Sequence, residues 1–273
     1  MRRLLFLLAV LALLGACAGH KTSDPEQPGL ADTLGQATDS LPSDSPVANP
    51  PKSVDGLFDD FIYSFMRSRR FQMERIKFPL DNFVDGVNHP IAEKSWRFDR
   101  LYLGQGLYTV IFDSEESTKA EKDEELTHVE VEWVYLAQKR VKQYKFDRVG
   151  GHWLLTSVNH HHLSKNVNSD FYEFYHRFSE SLSYQKKHIK NPFAFTTYDY
   201  DNFQPVEGVL DVEQWPDYKP ELPKGIITNV NYGQHYDDHH KRVLQLCSPS
   251  GGMGCSLVFE RMGKSWYLTR LEN

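Results

Sequence analysis

The side chains in this sequence best suited to metal binding are histidines in two clusters, at 160–162 and 235–240. In the second cluster, His235 and His239 would share one face if the segment were helical, and imidazoles so placed, with His240 nearby, can bind zinc. The strand-like patterns on both sides favour a hydrated polar turn instead, and no His-Glu-x-x-His motif occurs. The same interpretation applies to 160–162, at the joint between two halves of the chain. The sequence therefore predicts no metal site and no cofactor, and His235, His239 and His240 are the candidates if a metal binds.

Two cysteines near the C-terminus, Cys247 and Cys255, could form a disulfide or act as thiols. An even pair in an exported protein favours a disulfide, and export is indicated by the leader described below. The residues between them are rich in glycine, so the pair would close a short ring over a turn. A redox or metal site is the alternative, but the spacing is not Cys-x-x-Cys. The sequence predicts a structural Cys247–Cys255 disulfide.

The third cysteine, Cys17, follows a leader with the features of a signal peptide. Two arginines precede an uninterrupted apolar run at 4–14, which is shorter than the roughly 20 residues of a transmembrane helix. The residues Leu-Gly-Ala-Cys at 14–17 resemble a bacterial lipobox. The resemblance implies that residues 1–16 are removed and that Cys17 carries lipid. The alternative is an ordinary signal peptide followed by a chance cysteine.

Residues 17–56 have the composition of a disordered tether. They lack aromatic residues and are rich in Pro, Ser, Thr and Asp, so they bury too little apolar surface to offset the entropy lost on ordering. As a flexible coil the tether reaches roughly 35 Å. We therefore expect a lipid-anchored protein of the bacterial cell envelope, at the outer membrane and facing the periplasm or the cell surface.

The composition of the whole chain argues against a membrane-embedded or nucleic-acid-binding protein. With 40% hydrophobic and 13% aromatic residues in 273, it can build the cores of two small domains. Its net charge of -6 offers no basic face for nucleic acid. The charge-rich stretch 114–125 is interpreted as a solvated connection, with cation binding as the alternative. No phosphate-binding loop, Gly-x-Ser-x-Gly elbow or nucleotide fingerprint occurs in the sequence.

The chain resembles itself at a spacing of 113 residues, since 171 minus 58 is 113. The match returns at the end of each half, where the motif aromatic-acid-Arg-x-Gly-x-x-Trp occurs at 146–153 and 259–266. Between these anchors the offset is 119, as expected if residues are inserted in a loop. The sequence predicts one duplicated domain, with halves at 57–164 and 168–273; a chance likeness of aromatic-rich helices is the alternative. The matching residues are Phe58 and Phe171, Phe61 and Phe174, Phe65 and Phe178, Gln72 and Gln185, Pro79 and Pro192, and, at the larger offset, Trp96 and Trp215.

Each half is expected to begin with helices and to end in an antiparallel sheet, which makes an α+β fold. The aromatic stripe that starts at Phe58, and its copy at Phe171, have helical spacing. A second short helical stretch is expected to end at Pro79 and at Pro192, because proline cannot continue the helical ladder. The predicted strands are 107–112, 127–136, 141–146 and 152–158 in the first half, and 225–231, 242–246, 255–260 and 265–270 in the second.

Helices followed by a meander that ends in a strand, a glycine-containing turn and a Trp-bearing strand resemble the nuclear transport factor 2-like, or cystatin-like, roll. Residues 146–155 and 259–268 carry this resemblance. With the lipobox and the tether, the chain resembles an uncharacterised family of bacterial envelope lipoproteins with tandem domains of this fold. The resemblance implies two tandem rolls, each with N-terminal helices packed on a curved antiparallel sheet.

The resemblance brings no activity with it, because this fold hosts isomerases, dehydratases and pure binding modules. Catalytic members that resemble ketosteroid isomerase place an acid and hydrogen-bond donors in the cone between helix and sheet, and such residues cannot be mapped onto this sequence. The leading hypothesis is a non-catalytic module that binds an unknown small molecule or protein. The alternatives are an enzyme of the ketosteroid isomerase or dehydratase type and a metal- or glycan-binding protein.

Overall fold

A computed structural model describes residues 54–199, 201–237, 239–249 and 254–273. The predicted signal peptide (1–16), the lipidated Cys17 and most of the predicted tether (17–56) lie outside these residues. Over the described ranges, every helix is too short or too polar to cross a membrane.

Both halves begin with a pair of short helices, as the sequence predicts. The first helix buries its aromatic stripe, and the serine that follows it adopts an extended backbone and caps the second helix. The Oγ atom of Ser68 accepts the amide proton of Phe71 at 3.2 Å, and Ser181 accepts that of Tyr184 at 3.3 Å. These caps fix the sharp turn between the helices. The helices are α1 (Phe58–Arg67), α2 (Arg69–Glu74), α3 (Ser169–Glu180), α4 (Leu182–Lys187) and α5 (Trp215–Tyr218).

All eight predicted strands are confirmed, and four further strands accompany them. Buried and exposed side chains alternate at the start of the strand that begins at His128, and further along it Glu132 and Val134 are buried on the other face as well. The strands are β1 (Ile76–Val84), β2 (Val87–Asn88), β3 (Tyr108–Phe112), β4 (His128–Tyr135), β5 (Arg140–Val149), β6 (His152–His162), β7 (Ile189–Asp199), β8 (Gln204–Leu210), β9 (Ile226–Asn231), β10 (Lys241–Cys247), β11 (Cys255–Met262) and β12 (Ser265–Glu272).

The expectation that Pro79 and Pro192 end helices is wrong. Helices α2 and α4 stop five residues earlier, and the prolines lie inside β1 and β7. Each strand changes register against its neighbour around the proline, between residues 76 and 81 in β1 and between 189 and 194 in β7. A proline cannot donate a ladder hydrogen bond, so it is tolerated in a strand where the pairing is interrupted.

The described strands form two six-stranded sheets, and each sheet takes an edge strand from the other half of the chain. The first sheet has the order β2-β1-β6-β5-β4-β9 and the second has the order β3-β10-β11-β12-β7-β8. Strand β9 pairs with β4, and β3 pairs with β10, both antiparallel. The sheets therefore do not divide at the predicted boundaries of 57–164 and 168–273, and the division into two copies stays a prediction.

The two exchanged strands meet at Thr109 and Thr228, which are buried and occupy matching positions at the 119-residue offset. The amide of Thr109 donates to Oγ1 of Thr228 at 2.8 Å, and the amide of Thr228 donates to Oγ1 of Thr109 at 3.0 Å. Each hydroxyl also donates to the carbonyl oxygen of the other threonine. Such reciprocal contact between matching positions is the pattern that a two-fold arrangement produces.

Two aromatic cores fill the space between the helices and the concave faces of the sheets. Phe58 packs edge-on against Trp153 with ring centroids 5.1 Å apart, and Phe171 packs against Trp266 at 5.4 Å. Burying each such side chain contributes roughly 1.5–3 kcal/mol. The rings in the first core include Phe58, Phe61, Phe65, Phe146 and Trp153, and those in the second include Phe171, Phe174, Phe178, Phe259 and Trp266.

Candidate functional site

The three candidate metal ligands do not form a cluster. The chain around His235 is irregular rather than helical, so its spacing from His239 does not place both rings on one helical face. His235, His239 and His240 are exposed, and position 238 lies outside the described residues. Among the side chains that the structure describes, no group of three or more His, Cys, Asp and Glu residues could hold a metal ion.

The other two polar segments noted in the sequence lie at the surface. Residues 160–162, expected to form a turn, are instead the last residues of β6, where His160 pairs with Lys142 of β5. The connection at 114–125 contains a 3-10 helix at Glu116–Lys122 and is largely exposed. His160 and His161 line an open pocket of about 400 Å³ at the end of β6, and among the described residues no group of three or more metal ligands lies there.

The predicted Cys247–Cys255 disulfide is not formed, and both side chains are free thiols. In the antiparallel pair of β10 and β11, Cys255 lies opposite Leu246, one position before Cys247. Successive side chains point to opposite faces of a sheet, and accordingly Cys247 packs against the first core and Cys255 against the second. Burial raises the pKa of Cys247 to about 12 and that of Cys255 to about 11. Neither cysteine is therefore an activated thiolate.

The interior of each half is tied together by a buried glutamine. The Nε2 atom of Gln72 donates to the carbonyl oxygen of Phe65 at 3.1 Å, while its Oε1 atom accepts the indole proton of Trp96 at 2.9 Å. Trp215 donates to Gln185 at the same distance in the second half. Aromatic rings and paired amides thus occupy the two cones.

A cleft of about 330 Å³ opens between α1 and the ends of β3 and β10. We call it the Asp59 cleft. One wall is a face of α1 on which Asp59, Ile62, Tyr63 and Met66 recur at helical spacing, with Asp60 beside them. This face adjoins the aromatic stripe that α1 buries against the first sheet.

The opposite wall of the Asp59 cleft is aromatic. Tyr102, from the 3-10 helix at Leu101–Gly104, stacks on Tyr108 of β3 with ring centroids 4.4 Å apart and planes 21° apart. Ser248 and Pro249, which follow β10, complete this wall. A carboxylate therefore faces aromatic and apolar groups across a space large enough for a small molecule.

Asp59 is a half-buried carboxylate with a neutral hydrogen-bond partner. Its Oδ1 atom accepts the hydroxyl proton of Tyr232 at 2.8 Å. Burial raises the pKa of Asp59 to about 6, the bond from Tyr232 opposes this rise, and the negative charges of Glu121 and Asp60 add to it. Over the part of the chain that the structure describes, the charges that raise the pKa of Asp59, those of Glu121 and Asp60, are both negative. The group is thus a desolvated acid that still ionises near neutral pH.

The second half has a different residue at the position that matches Asp59. Since 59 plus 113 is 172, the counterpart is Tyr172, which is buried and donates its hydroxyl proton to Oε2 of Glu132 at 3.2 Å. The positions that match Ile62, Tyr63 and Met66 are occupied by Tyr175, His176 and Ser179. The acidic α1 face that lines the Asp59 cleft therefore has no matching acidic face on α3.

Glu132 is the centre of a second polar site, a pocket of about 200 Å³ near the joint between the halves. Glu132 is 4% exposed. Its carboxylate accepts hydrogen bonds from the side-chain amides of Asn166 at 2.8 Å, Gln143 at 3.2 Å and Asn229 at 3.3 Å. It also accepts one from the hydroxyl of Tyr172. Burial raises the pKa of Glu132. Because four donors already satisfy this carboxylate, the network is suited to holding the halves together.

Sequence reasoning missed Asp59 and its neighbours. An acidic residue in the first turn stabilises any helix through the helix dipole. Asp59 and Asp60 therefore gave no specific indication of a ligand site in the sequence. The available signal was the second semi-apolar face of α1, on which Ile62 and Met66 follow Asp59 by three and seven residues. The tyrosines that meet this face come from distant parts of the chain, and no local pattern connects them.

Paired helices against curved, mainly antiparallel sheets define the nuclear transport factor 2-like class, and comparison with solved structures confirms this fold. The structure is similar to the crystal structure of an NTF2-like protein from Bacteroides fragilis NCTC 9343, with a TM-score of 0.76 and 36% sequence identity over 82% of this chain and 98% of that chain. The chain belongs to the family described as a domain of unknown function, DUF4348, whose model matches residues 37–273. No curated protein matches the chain.

Proposed function

We propose that this protein is a lipid-anchored, non-catalytic module of the bacterial cell envelope that binds a small ligand in the Asp59 cleft. The folded part is a pair of nuclear transport factor 2-like rolls, built by the predicted halves 57–164 and 168–273, which exchange one strand each. The signal peptide and the lipobox-like residues 14–17 support the anchor, and residues 17–56 supply the tether.

The observation that carries the binding function is the Asp59 cleft itself. Ligand sites are typically concave, largely apolar, and supplied with a few polar groups that fix orientation. The Asp59 cleft is concave and its lining mixes polar and apolar groups, with one desolvated carboxylate and two stacked tyrosines. The cones, which hold the ligand in catalytic members of the class, are filled here by Phe and Trp rings. Binding is therefore assigned to the cleft between α1 and β3.

A fragment screen observed by protein NMR tests this assignment. We expect fragments of several charge types to shift signals of Tyr108 and of α1, and Ser248→Trp to abolish the shifts by filling the cleft. Ser183→Trp, on the exposed surface of α4, is the matched control and should leave them unchanged. Fragments that bind the Ser248→Trp variant normally, or that gather around Glu132, would contradict the assignment.

Asp59 also supports a second candidate function, that of an isomerase- or dehydratase-like enzyme. A carboxyl with a pKa of about 6 is suited to abstracting a proton near neutral pH. Exchange of the α-protons of a small ketone in D₂O, followed by NMR, tests this candidate. If the protein accelerates this exchange and the Asp59→Asn variant does not, the result favours an enzymatic function. If the exchange rate with protein equals the rate in buffer alone, proton abstraction from that ketone is excluded.

A further inference from the structure

We infer that the ligand of the Asp59 cleft carries an organic ammonium group, held between the Asp59 carboxylate and the tyrosine wall. This inference rests on the proposed function, because it names the chemistry of the ligand that the cleft binds. Three features of the cleft support it: the sign of the local charge, the faces of the aromatic rings, and the small number of oxygen ligands.

The charge around Asp59 favours a cation. Its carboxylate is withdrawn from water, and Tyr232, which donates to it, is neutral. The nearby charges of Glu121 and Asp60 are negative, so they repel an anionic ligand and attract a cationic one. A buried charge without a partner is costly, and an ammonium group placed beside Asp59 would remove that cost.

The tyrosine wall favours an organic cation over a neutral polar group. The face of an aromatic ring attracts a cation within about 6 Å of its centre, and this attraction strengthens when the cation is desolvated. Tyr102 and Tyr108 stack on each other in the lining of the cleft, and Tyr108 is the more exposed of the two rings, while Ile62 and Met66 are buried behind the lining. Arg67 already places its guanidinium 5.0 Å from the ring centre of Tyr63, which also lines the cleft.

An inorganic cation fits the cleft less well. Calcium and magnesium need about six oxygen ligands. The carboxylates lining the cleft are those of Asp59 and Asp60, and one oxygen of Asp59 is engaged by Tyr232. No metal-binding group of three or more ligands exists among the described residues. Aromatic rings and methionine instead suit a methylated or alkylated ammonium.

Isothermal titration with two probes of equal shape tests the inference on the full mature chain. The probes are benzyltrimethylammonium and its neutral isostere, neopentylbenzene. We expect the ammonium to bind at least about tenfold more tightly than the isostere at pH 8, and this preference to shrink below pH 6 as Asp59 takes up a proton. Asp59→Asn keeps the acceptor for Tyr232 and should reduce affinity for the ammonium about tenfold.

Two further variants separate the possible failures. Tyr108→Leu removes an aromatic ring and should weaken binding of the ammonium probe more than binding of the isostere. Glu207→Gln removes a charge on the exposed strand β8 and should change the affinity for neither probe. If both probes bind equally and Ser248→Trp blocks both, the cleft is a ligand site but the inferred ammonium specificity is wrong. If neither probe binds at millimolar concentration, the inference is overturned, and the fragment screen decides the proposed function.

Discussion

Asp59 is the residue on which the functional argument depends, and its chemistry follows from where α1 places it. The same side chain in a solvated first helical turn would have an ordinary pKa and a small favourable interaction with the helix dipole. Packing of Tyr232 and the tyrosine wall against α1 removes water from it. Sequence alone fixed neither contact, because Tyr232 lies 173 positions away along the chain.

At the residue scale we predict that Asp59→Asn stabilises the protein in a pH-dependent way. The folded-state pKa of about 6 lies above the unfolded value of 3.8, so the folded state favours the protonated acid. Stability from this group is fully present below about pH 4, declines as pH rises to about 6, and is lost above that. The gain from Asp59→Asn should therefore be larger at pH 8 than at pH 4 by roughly 3 kcal/mol at most.

Urea unfolding of both proteins at the two pH values measures this difference, because other titrating groups cancel in the comparison. Glu207→Gln, on an exposed strand, is the control and should change the free energy of unfolding only slightly at either pH. An equal gain from Asp59→Asn at pH 4 and pH 8 would show that Asp59 is not desolvated.

At the element scale, the sequence predicted which segments are strands better than it predicted how they pair. Alternation in 127–136 predicts a strand with one buried face, and the structure confirms the strand as β4 but buries Glu132 and Val134 on its other face too. It does not report that the neighbouring strand is β9 from the second half. The same limit explains the disulfide, since the ring from Cys247 to Cys255 indicated a strand pair but not a register that separates the thiols. Strands β1 and β7 were missed because proline suggested a helix end.

The exchange of β3 and β9 makes a prediction about Thr228. Its hydroxyl donates to the carbonyl of Thr109 at 3.0 Å and accepts that residue's amide at 2.8 Å, in a buried position. Thr228→Val keeps the shape but leaves both partners unpaired, so it should lower the free energy of unfolding by about 1–3 kcal/mol. Thr197→Val, on β7, is the matched control and should change stability by less than about 0.5 kcal/mol.

Chemical denaturation monitored by tryptophan fluorescence gives both values. Equal effects of Thr228→Val and Thr197→Val would mean that the reciprocal hydrogen bonds do not hold the exchanged strands together.

At the scale of the whole molecule, the proposed anchor and the folded part have separate roles. The lipidated Cys17 would hold the chain at the membrane, while residues 17–56 would let the Asp59 cleft meet ligands away from the lipid surface. We predict that Cys17→Ser releases the protein from the membrane fraction without altering its melting temperature. Fractionation of cells that express each form, with an antibody against the folded part, measures this. Retention of Cys17→Ser in the membrane fraction would contradict the anchor.

The central claim is that the ligand site lies between α1 and the tyrosine wall. A crystal structure of the mature protein with benzyltrimethylammonium tests it most directly. We predict electron density for the probe in the Asp59 cleft, with the ammonium between the Asp59 carboxylate and the ring of Tyr108. Density beside Glu132 or within either aromatic core, with the Asp59 cleft empty at saturating probe, would contradict the account.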